Sequence, residues 1–311
     1  MSEPNADLAS DAEAPPPPIE REQALRYYSA LGAIPFIIIH LLPLLAFYTG
    51  TKWQDWAVCI ALYWIRMFFV TGGYHRYFAH RTYKTSRFFQ FILAFCAQTT
   101  AQKGALWWGA HHRVHHKLSD QEGDPHNSRR GFWYSHVGWL FSGNEETDYQ
   151  RIKDFAKYPE LVWLNRYWLI PPTALGILVA SIWGTSGLLI GFFLSTVLTW
   201  HGTFTINSLS HMLGKQRYNA GDYSKNNWFL AILTMGEGWH NNHHHFMNAC
   251  RQGFYWWEYD ATYYILRILN TLHIVWDIKE PPARVFDPAT HIQKNQTTRA
   301  PALDPARGSA P

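Results

Sequence analysis

Between residues 27 and 51 the chain carries no charged side chain. An uncharged apolar stretch of that length predicts one membrane-spanning helix, with Pro35 and Pro43 as points where it would kink. A second apolar stretch follows from about Trp56 to Tyr74, interrupted by Arg66. The next uncharged stretch, 167–214, is too long for one passage of a bilayer, and the turn residues Trp183-Gly184-Thr185-Ser186-Gly187 divide it in two. The pattern therefore predicts four membrane-spanning helices in two hairpins, at 28–50, 54–74, 167–184 and 187–210. Two further apolar segments, 88–102 and 254–276, are read differently. The first is short and bounded by Arg87 and Lys103, and the second contains Glu258, Asp260 and Arg267. Both are expected to lie along the membrane surface as amphipathic helices.

Four spans leave both termini and the segment 75–166 on one face. Arg21, Arg26, Arg76, Arg81, Lys84, Arg87, Lys157, Arg166, Lys215 and Arg217 flank that face, whereas Lys52 stands alone in the opposite loops. An excess of cations marks the cytosolic side. The fold class that follows is all-α integral membrane, with a helical cytosolic cap formed by 75–166 and 211–280. The folded unit would be 26–280. Residues 1–25, with Pro15-Pro16-Pro17-Pro18, and the Pro-rich 281–311 read as disordered tails. The start lacks the basic residues and apolar run of a cleavable leader. Arg66 is unusual: a charge inside a span is a functional candidate, although an arginine near the end of a helix also snorkels to the interface.

Composition agrees with a membrane anchor carrying a polar domain. The 311 residues are 47% hydrophobic and only 16% charged, against about 25% charged in soluble domains. A mean hydropathy of -0.23 is nevertheless too low for a chain made only of spans. The net charge of +4 is mild and not gathered into a stripe, so no nucleic-acid partner is expected. Cys59, Cys96 and Cys250 lie far apart with no CxxC pair, so neither a disulfide framework nor a cysteine set for an iron–sulfur cluster is suggested.

The 17 histidines are the anomaly. Three clusters stand out: His75 with His80, His112 with His115 and His116, and His240 with His243 and His244. The last two share the spacing HxxHH, which on a helix places three imidazoles on one face. His211 follows the fourth span, with Asn207 one turn before it. All of these meet at one membrane face only if 88–102 does not cross the bilayer. Imidazole suits iron, zinc, copper and nickel. One structural zinc needs four ligands, so nine imidazoles are too many for one ion and fit two, each with a position left for oxygen. Isolated histidines such as His40, His201 and His273 read as packing or hydrogen-bonding residues.

The text around these clusters resembles the membrane fatty-acyl desaturases, of the stearoyl-CoA (Δ9) type. The resemblance covers 28–276. It rests on Gly73-Tyr74-His75-Arg76, Asp124-Pro125-His126-Asn127, Arg130-Gly131-Phe132, Ser135-His136-Val137-Gly138-Trp139-Leu140, Asn207-Ser208 with His211, and Gly236-Glu237-Gly238-Trp239-His240-Asn241-Asn242-His243-His244. The resemblance implies that His75, His80, His112, His115, His116, His211, His240, His243 and His244 hold two iron ions, with Asn207 holding a metal-bound water. His111 and His245 adjoin the boxes without matching ligand positions, and His126 and His136 would brace the cap. Glu237 and Asp124 are candidates to orient the imidazoles.

The implied reaction is oxygen-dependent: reduced di-iron activates O2, two hydrogens are abstracted in succession and a cis double bond forms. An unactivated methylene has no acidic proton, so acid–base residues alone cannot do this. Gln102, Trp108, Thr203 and Phe204 are expected to wall the acyl tunnel, and Arg129 and Arg130 to meet phosphate groups. A fatty-acyl-CoA giving the cis-Δ9 acyl-CoA is the expected substrate. However, Ala110 and Ser142-Gly143-Asn144 stand where mammalian members carry basic residues that hold the CoA phosphates, which opens the choice to lipid-bound or protein-bound acyl chains. A separate donor, cytochrome b5 or ferredoxin, would supply electrons, because the chain has no His-Pro-Gly-Gly signature of its own. The expected location is a bacterial inner membrane or the endoplasmic reticulum, with the active site cytosolic. Two rival readings are a di-iron hydroxylase on the same scaffold and a non-catalytic membrane metal carrier.

Overall fold

A computed structural model describes residues 33–143 and 146–292, and the chain there is overwhelmingly helical. Helix α1, Ala33–Thr49, is apolar and contains Pro43 in a 3-10 turn. Helix α2, Trp53–Ala79, begins at Lys52, whose backbone N–H donates to Asp55 Oδ2 at 2.7 Å. Helices α3, Arg87–Gln98, and α4, Ala105–Leu118, follow, then α5, Pro159–Arg166. The long stretch Ile170–Met212 comes next. Gly184, at φ 70°, breaks it into α6, Ile170–Ser186, and α7, 187–207. Short helices α8, Trp228–Leu233, and α9, His240–His245, precede α10, Ala261–Thr271. One small antiparallel ribbon pairs β1, Lys84–Thr85, with β2, Val275–Trp276.

Two of these stretches, Trp53–Ala79 and Ile170–Met212, are long and apolar enough to cross a membrane, and α1 is a shorter apolar helix. Ile60, Ile65, Ile177, Leu178 and Ile182 are exposed along them, as expected of helices whose outer face does not meet water. Close approach of α7 to its neighbours relies on glycine. A Cβ on Gly191 would stand 2.8 Å from a Val58 methyl of α2, and one on Gly202 2.7 Å from Met67.

The predicted second span, 54–74, is extended: α2 continues five residues further, to Ala79, and the last part, Phe69–Ala79, is a π-helix. Segment 88–102 forms only the twelve-residue α3, too short to cross a bilayer. Its Leu93, Ala94 and Ala97 are buried, and Leu93 and Ala97 pack on Gly73 of α2. Helix α10 buries Tyr263 and Leu266 and exposes Tyr264, Ile268 and Leu272. Tyr263 and Leu266, together with Phe78, Leu106, Ile152, Leu161 and Val275, belong to the main core. Each fully buried aliphatic or aromatic side chain contributes about 1.5–3 kcal/mol.

Two expectations need correction. Arg66 does not snorkel: it is 1% exposed and donates inward, to Thr196 Oγ1 at 2.7 Å, Ser195 Oγ at 2.5 Å and the Thr99 carbonyl at 3.3 Å. Arginine's planar fork, with five donors, lets it satisfy itself on hydroxyls and carbonyls. The segment from Pro281 is not a loose tail as far as Ile292. Val285 is fully buried, its carbonyl accepts from Tyr218 Oη at 2.7 Å, and Ile292 N donates to the Arg217 carbonyl at 2.7 Å. The composition is Pro-rich, but one valine and two backbone groups find partners in the cap. The expected tail 1–25 and the remainder, 293–311, lie outside the described residues.

Candidate metal centre

The π-helical end of α2 carries the first histidine pair. In an ordinary α-helix, residues five apart point about 140° away from each other. Here the His80 amide donates to the His75 carbonyl at 3.1 Å, the i→i+5 link of a π turn. The wider turn brings both imidazoles to one face. Their ring centroids are 4.8 Å apart.

The HxxHH helices α4 and α9 each stand between two groups of imidazoles. His75, His80, His112, His116 and His243 form the first, and His115, His211, His240 and His244 the second. Each helix sends its first and last histidine, four residues apart, to one group and the middle one to the other. Residues i and i+4 are separated by about 40° around a helix and i+3 leans to the opposite side, so one turn supplies two neighbouring sites. Within each group the ligand atoms lie within 4.8 Å of one another. Nε2 atoms face each other at 3.0 Å for His75 and His243, 2.9 Å for His80 and His112, 2.9 Å for His116 and His243, and 3.0 Å for His211 and His240.

Behind the imidazoles stand buried carboxylates. Glu237 receives His75 Nδ1 and also accepts from Arg76 Nη2 at 3.1 Å and Gln252 Nε2 at 3.1 Å. Arg76 is in turn held by Asp260 Oδ1 at 2.9 Å. Asp124 meets His115 Nδ1 at 3.0 Å, Asp120 meets His211 Nδ1 at 2.8 Å, and Asp222 meets His244 Nδ1 at 2.5 Å. Burial alone would raise each carboxyl, but the facing imidazoles outweigh it, joined by hydrogen-bond donors at the three aspartates and by the Arg76 guanidinium at Glu237. Asp124 is lowered to about 2, and Asp120, Asp222 and Glu237 are all held below the ordinary range. Fixing Nδ1 against a carboxylate turns Nε2 towards the centre of its group.

Sequence reasoning named Glu237 and Asp124 for this role and missed Asp120 and Asp222. Asp120 lies one helical turn after His116, which is a usable signal. Asp222 sits in the loop before α8, where nothing in the spacing marks it.

The donor set suits a transition metal. His115 Nε2 and His244 Nε2 are buried with no hydrogen-bond partner among the described residues, a costly state unless something else binds them. Burial holds His80, His112, His116, His240 and His243 far below the usual imidazole value, and His244 at about 4. Neutral imidazole is the form that binds metal.

Of the other histidines, only His126 adjoins these groups, forming with His115 and Asp124 a further set of possible ligands among the described residues. His111 Nδ1 lies 2.9 Å from the Trp107 carbonyl, and His245 stacks on Tyr218 at 4.1 Å. His126 packs on His115 at 4.2 Å, and His136 bridges Ser208 Oγ at 2.9 Å and His201 at 2.9 Å. His40 and His201 pair through Nε2 at 3.0 Å.

A mostly apolar cavity of about 370 Å³ adjoins the first group. Gln102, Trp108, Thr203, Phe204 and Asn207 line it, as does His112 itself. Trp108 stacks on His112 at 4.9 Å, and Gln102 Nε2 donates to Thr203 Oγ1 at 3.1 Å. Arg129 and Arg130 are not among its lining residues: both are exposed, and the Arg130 guanidinium lies 3.5 Å over the Tyr134 ring.

Apolar helices ending in two histidine groups beside an apolar cavity make a scaffold able to hold metal in hydrophobic surroundings. The fatty acid desaturase family model matches residues 51–273, and the chain belongs to that family. It is similar to an sn-1 stearoyl-lipid 9-desaturase of Anabaena variabilis, 38% identical over 78% of this chain and 91% of the relative. An acyl-CoA C20 Delta5-desaturase of Anemone leveillei is 36% identical over 78% of this chain and 79% of its own. A Delta-9 acyl-lipid desaturase 1 of Arabidopsis thaliana is 33% identical over 84% and 86%. The protein is thus an oxidoreductase of the desaturase family with histidine groups able to hold metal.

Proposed function

We propose that this chain introduces a cis-Δ9 double bond into a saturated fatty-acyl chain, using two iron ions, O2 and two externally supplied electrons. The observation that carries the reading is that His112 belongs to the first histidine group and also lines the apolar cavity. A chain in that cavity would pass directly beside the metal.

His75, His80, His112, His116 and His243 would hold one iron, and His115, His211, His240 and His244 the other, with Asn207 holding a water on the cavity side. Bound iron would supply the O2 activation and hydrogen abstraction that no side chain here can perform. The chain's own residues do the rest. Glu237, Asp124, Asp120 and Asp222 fix the imidazoles, while Trp108, Thr203 and Phe204 hold the acyl chain and exclude water.

For the acyl carrier we favour a membrane glycerolipid over CoA. Both relatives described above that carry a Δ9 name are named for acyl-lipid substrates, whereas the acyl-CoA relative is named for Δ5. Pro35 of α1 and Leu169 before α6 line the cavity and are themselves exposed. We further propose four spans, with both termini and the metal centre on the cytosolic face where the cations gather. A separate donor, cytochrome b5 or ferredoxin, would supply the electrons.

The test is expression in a host lacking its own desaturase, with lipid and acyl-CoA pools analysed by gas chromatography. The expected product is a Δ9 monoene in the lipid pool. Hydroxylated chains with no new alkene would favour the hydroxylase reading. Zinc-loaded protein inert even after iron loading would favour the metal carrier.

A further inference from the structure

Tyr74 stands in the π-helical end of α2, next to His75 of the first histidine group, and is fully buried. It is not among the residues lining the apolar cavity. Its side chain nevertheless touches the cavity wall twice. Tyr74 Oη donates to the Lys103 carbonyl at 2.7 Å, and the ring stacks on Trp108 with centroids 5.5 Å apart and planes 16° apart. Lys103 and Trp108 both line the cavity. Trp108 in turn stacks on His112 at 4.9 Å and meets His75 edge-on at 6.0 Å. One phenol therefore ties two parts of the wall to the imidazoles of the first group.

The segment between α3 and α4 depends on such ties. Ala101 has φ 56° and Lys103 φ 67°, the left-handed region that a residue with a Cβ keeps only where its surroundings hold it. Three side chains hold the carbonyls of this segment. Arg66 Nη1 donates to the Thr99 carbonyl at 3.3 Å, Trp200 Nε1 to that of Thr100 at 2.7 Å, and Tyr74 Oη to that of Lys103. Of these three, Tyr74 is the one whose ring also joins the stack ending on His112. Any loosening of this tie moves the wall with respect to the histidines. A slide of one carbon along an acyl chain changes which bond is attacked.

We propose that Tyr74 is a positioning residue that sets which carbons of the acyl chain lie against the first histidine group. This deepens the reading above and rests on the cavity receiving an acyl chain. The phenol acts through the Lys103 carbonyl and the Trp108 ring, which keep the cavity wall in one register with His75 and His112. Loss of the hydroxyl alone leaves the ring stack and frees the segment before α4. A merely structural tyrosine would change stability and leave the position of the double bond as it was.

The test is Tyr74→Phe in the iron-loaded enzyme in nanodiscs, supplied with distearoylphosphatidylglycerol or stearoyl-CoA. Wild type is expected to give one double-bond position by gas chromatography with mass spectrometry. The variant should bind as much metal and spread the double bond over neighbouring carbons, with kcat about tenfold lower and KM kept. The same protein held without O2 gives a readout that needs no turnover. A stearoyl chain carrying a diazirine at C9 should cross-link to Trp108 or His112 in wild type and to a wider set of cavity residues in the variant. If Tyr74→Phe does not fold, Trp108→Phe, which keeps the hydroxyl and loses ring overlap, carries the same two measurements. An unchanged double-bond position with unchanged cross-links would overturn the positioning role, whatever happens to the melting temperature. No double bond from wild type on either carrier, with cross-links that spread in the variant, would instead remove the desaturase reading alone.

Discussion

The His80 amide donates to the carbonyl of His75, five residues back, at 3.1 Å. That single π-helical link brings both residues of the HxxxxH cluster into the first histidine group, whereas His211 and His240 belong wholly to the second. The groups should therefore empty separately. His80→Ala is expected to lower bound metal to about half the wild-type amount, His211→Ala likewise, and the double variant to nearly none. Metal analysis of purified protein checks this. Wild-type metal content in His80→Ala would remove His80 from the ligand set.

The apolar stretches, the break at Gly184 and the two HxxHH helices were legible in the sequence because each depends on local pattern: length without charge, a glycine turn, a 3.6-residue period. What could not be read depends on register and on distant contacts. No propensity announces that α2 changes to a π turn at Phe69, yet without it His75 and His80 diverge. Asp222 reaches His244 from a loop whose own sequence contains no ligand spacing. Val285 turns a Pro-rich segment into a packed one because Tyr218, 67 residues earlier, donates to its carbonyl. Arg129 and Arg130, expected to meet phosphate groups from their charge, are exposed and do not line the cavity.

Arg66 joins α2 to the end of α3 and to α7 through Thr99, Ser195 and Thr196. The two hydroxyls already donate elsewhere, Ser195 to the Phe192 carbonyl at 3.0 Å and Thr196 to the same oxygen at 2.7 Å. Removing the guanidinium thus leaves few orphaned groups but opens a cavity. Arg66→Ala is expected to destabilise by about 2–4 kcal/mol through that cavity, and Arg66→Met, which refills it, by clearly less. Thermal unfolding in detergent measures both. Equal losses would show that the charge, not the volume, is what α7 requires.

Acid should destabilise the metal-free protein before its carboxylates titrate. Burial depresses His80, His112, His116, His240 and His243 well below the ordinary imidazole value. Below about pH 6.5 the unfolded chain therefore takes up protons that the folded chain refuses. Each such histidine changes the folded-to-unfolded ratio about tenfold per pH unit in that window. The depressed carboxylates act in a lower one. Asp124, at about 2, contributes stability above the unfolded value near 3.9, lost only as pH falls towards 2. Melting temperature of the chelator-treated protein is expected to fall from pH 7 to pH 5. A flat profile there would mean that the imidazoles are not held neutral.

Asp120 and Asp222 serve only the second histidine group, through His211 and His244. Asp120 also binds Ser128 Oγ at 2.5 Å and the Tyr223 amide at 2.9 Å, so it joins the α4 end of the cap to the loop before α8. Asp222 is confined to that loop, accepting from Ser224 N at 2.9 Å. Replacing either carboxylate by its amide keeps the volume but removes the charge that orients the imidazole. Such changes lower metal affinity about 10–100-fold. For Asp222→Asn the expectation is that loss for one metal equivalent and unchanged affinity for the other, seen as two separated steps in chelator competition. Asp120→Asn should show the same two steps with a lowered melting temperature besides, because its other hydrogen bonds hold the cap together. A uniform weakening of both equivalents in Asp222→Asn would mean that the two groups bind metal as one unit.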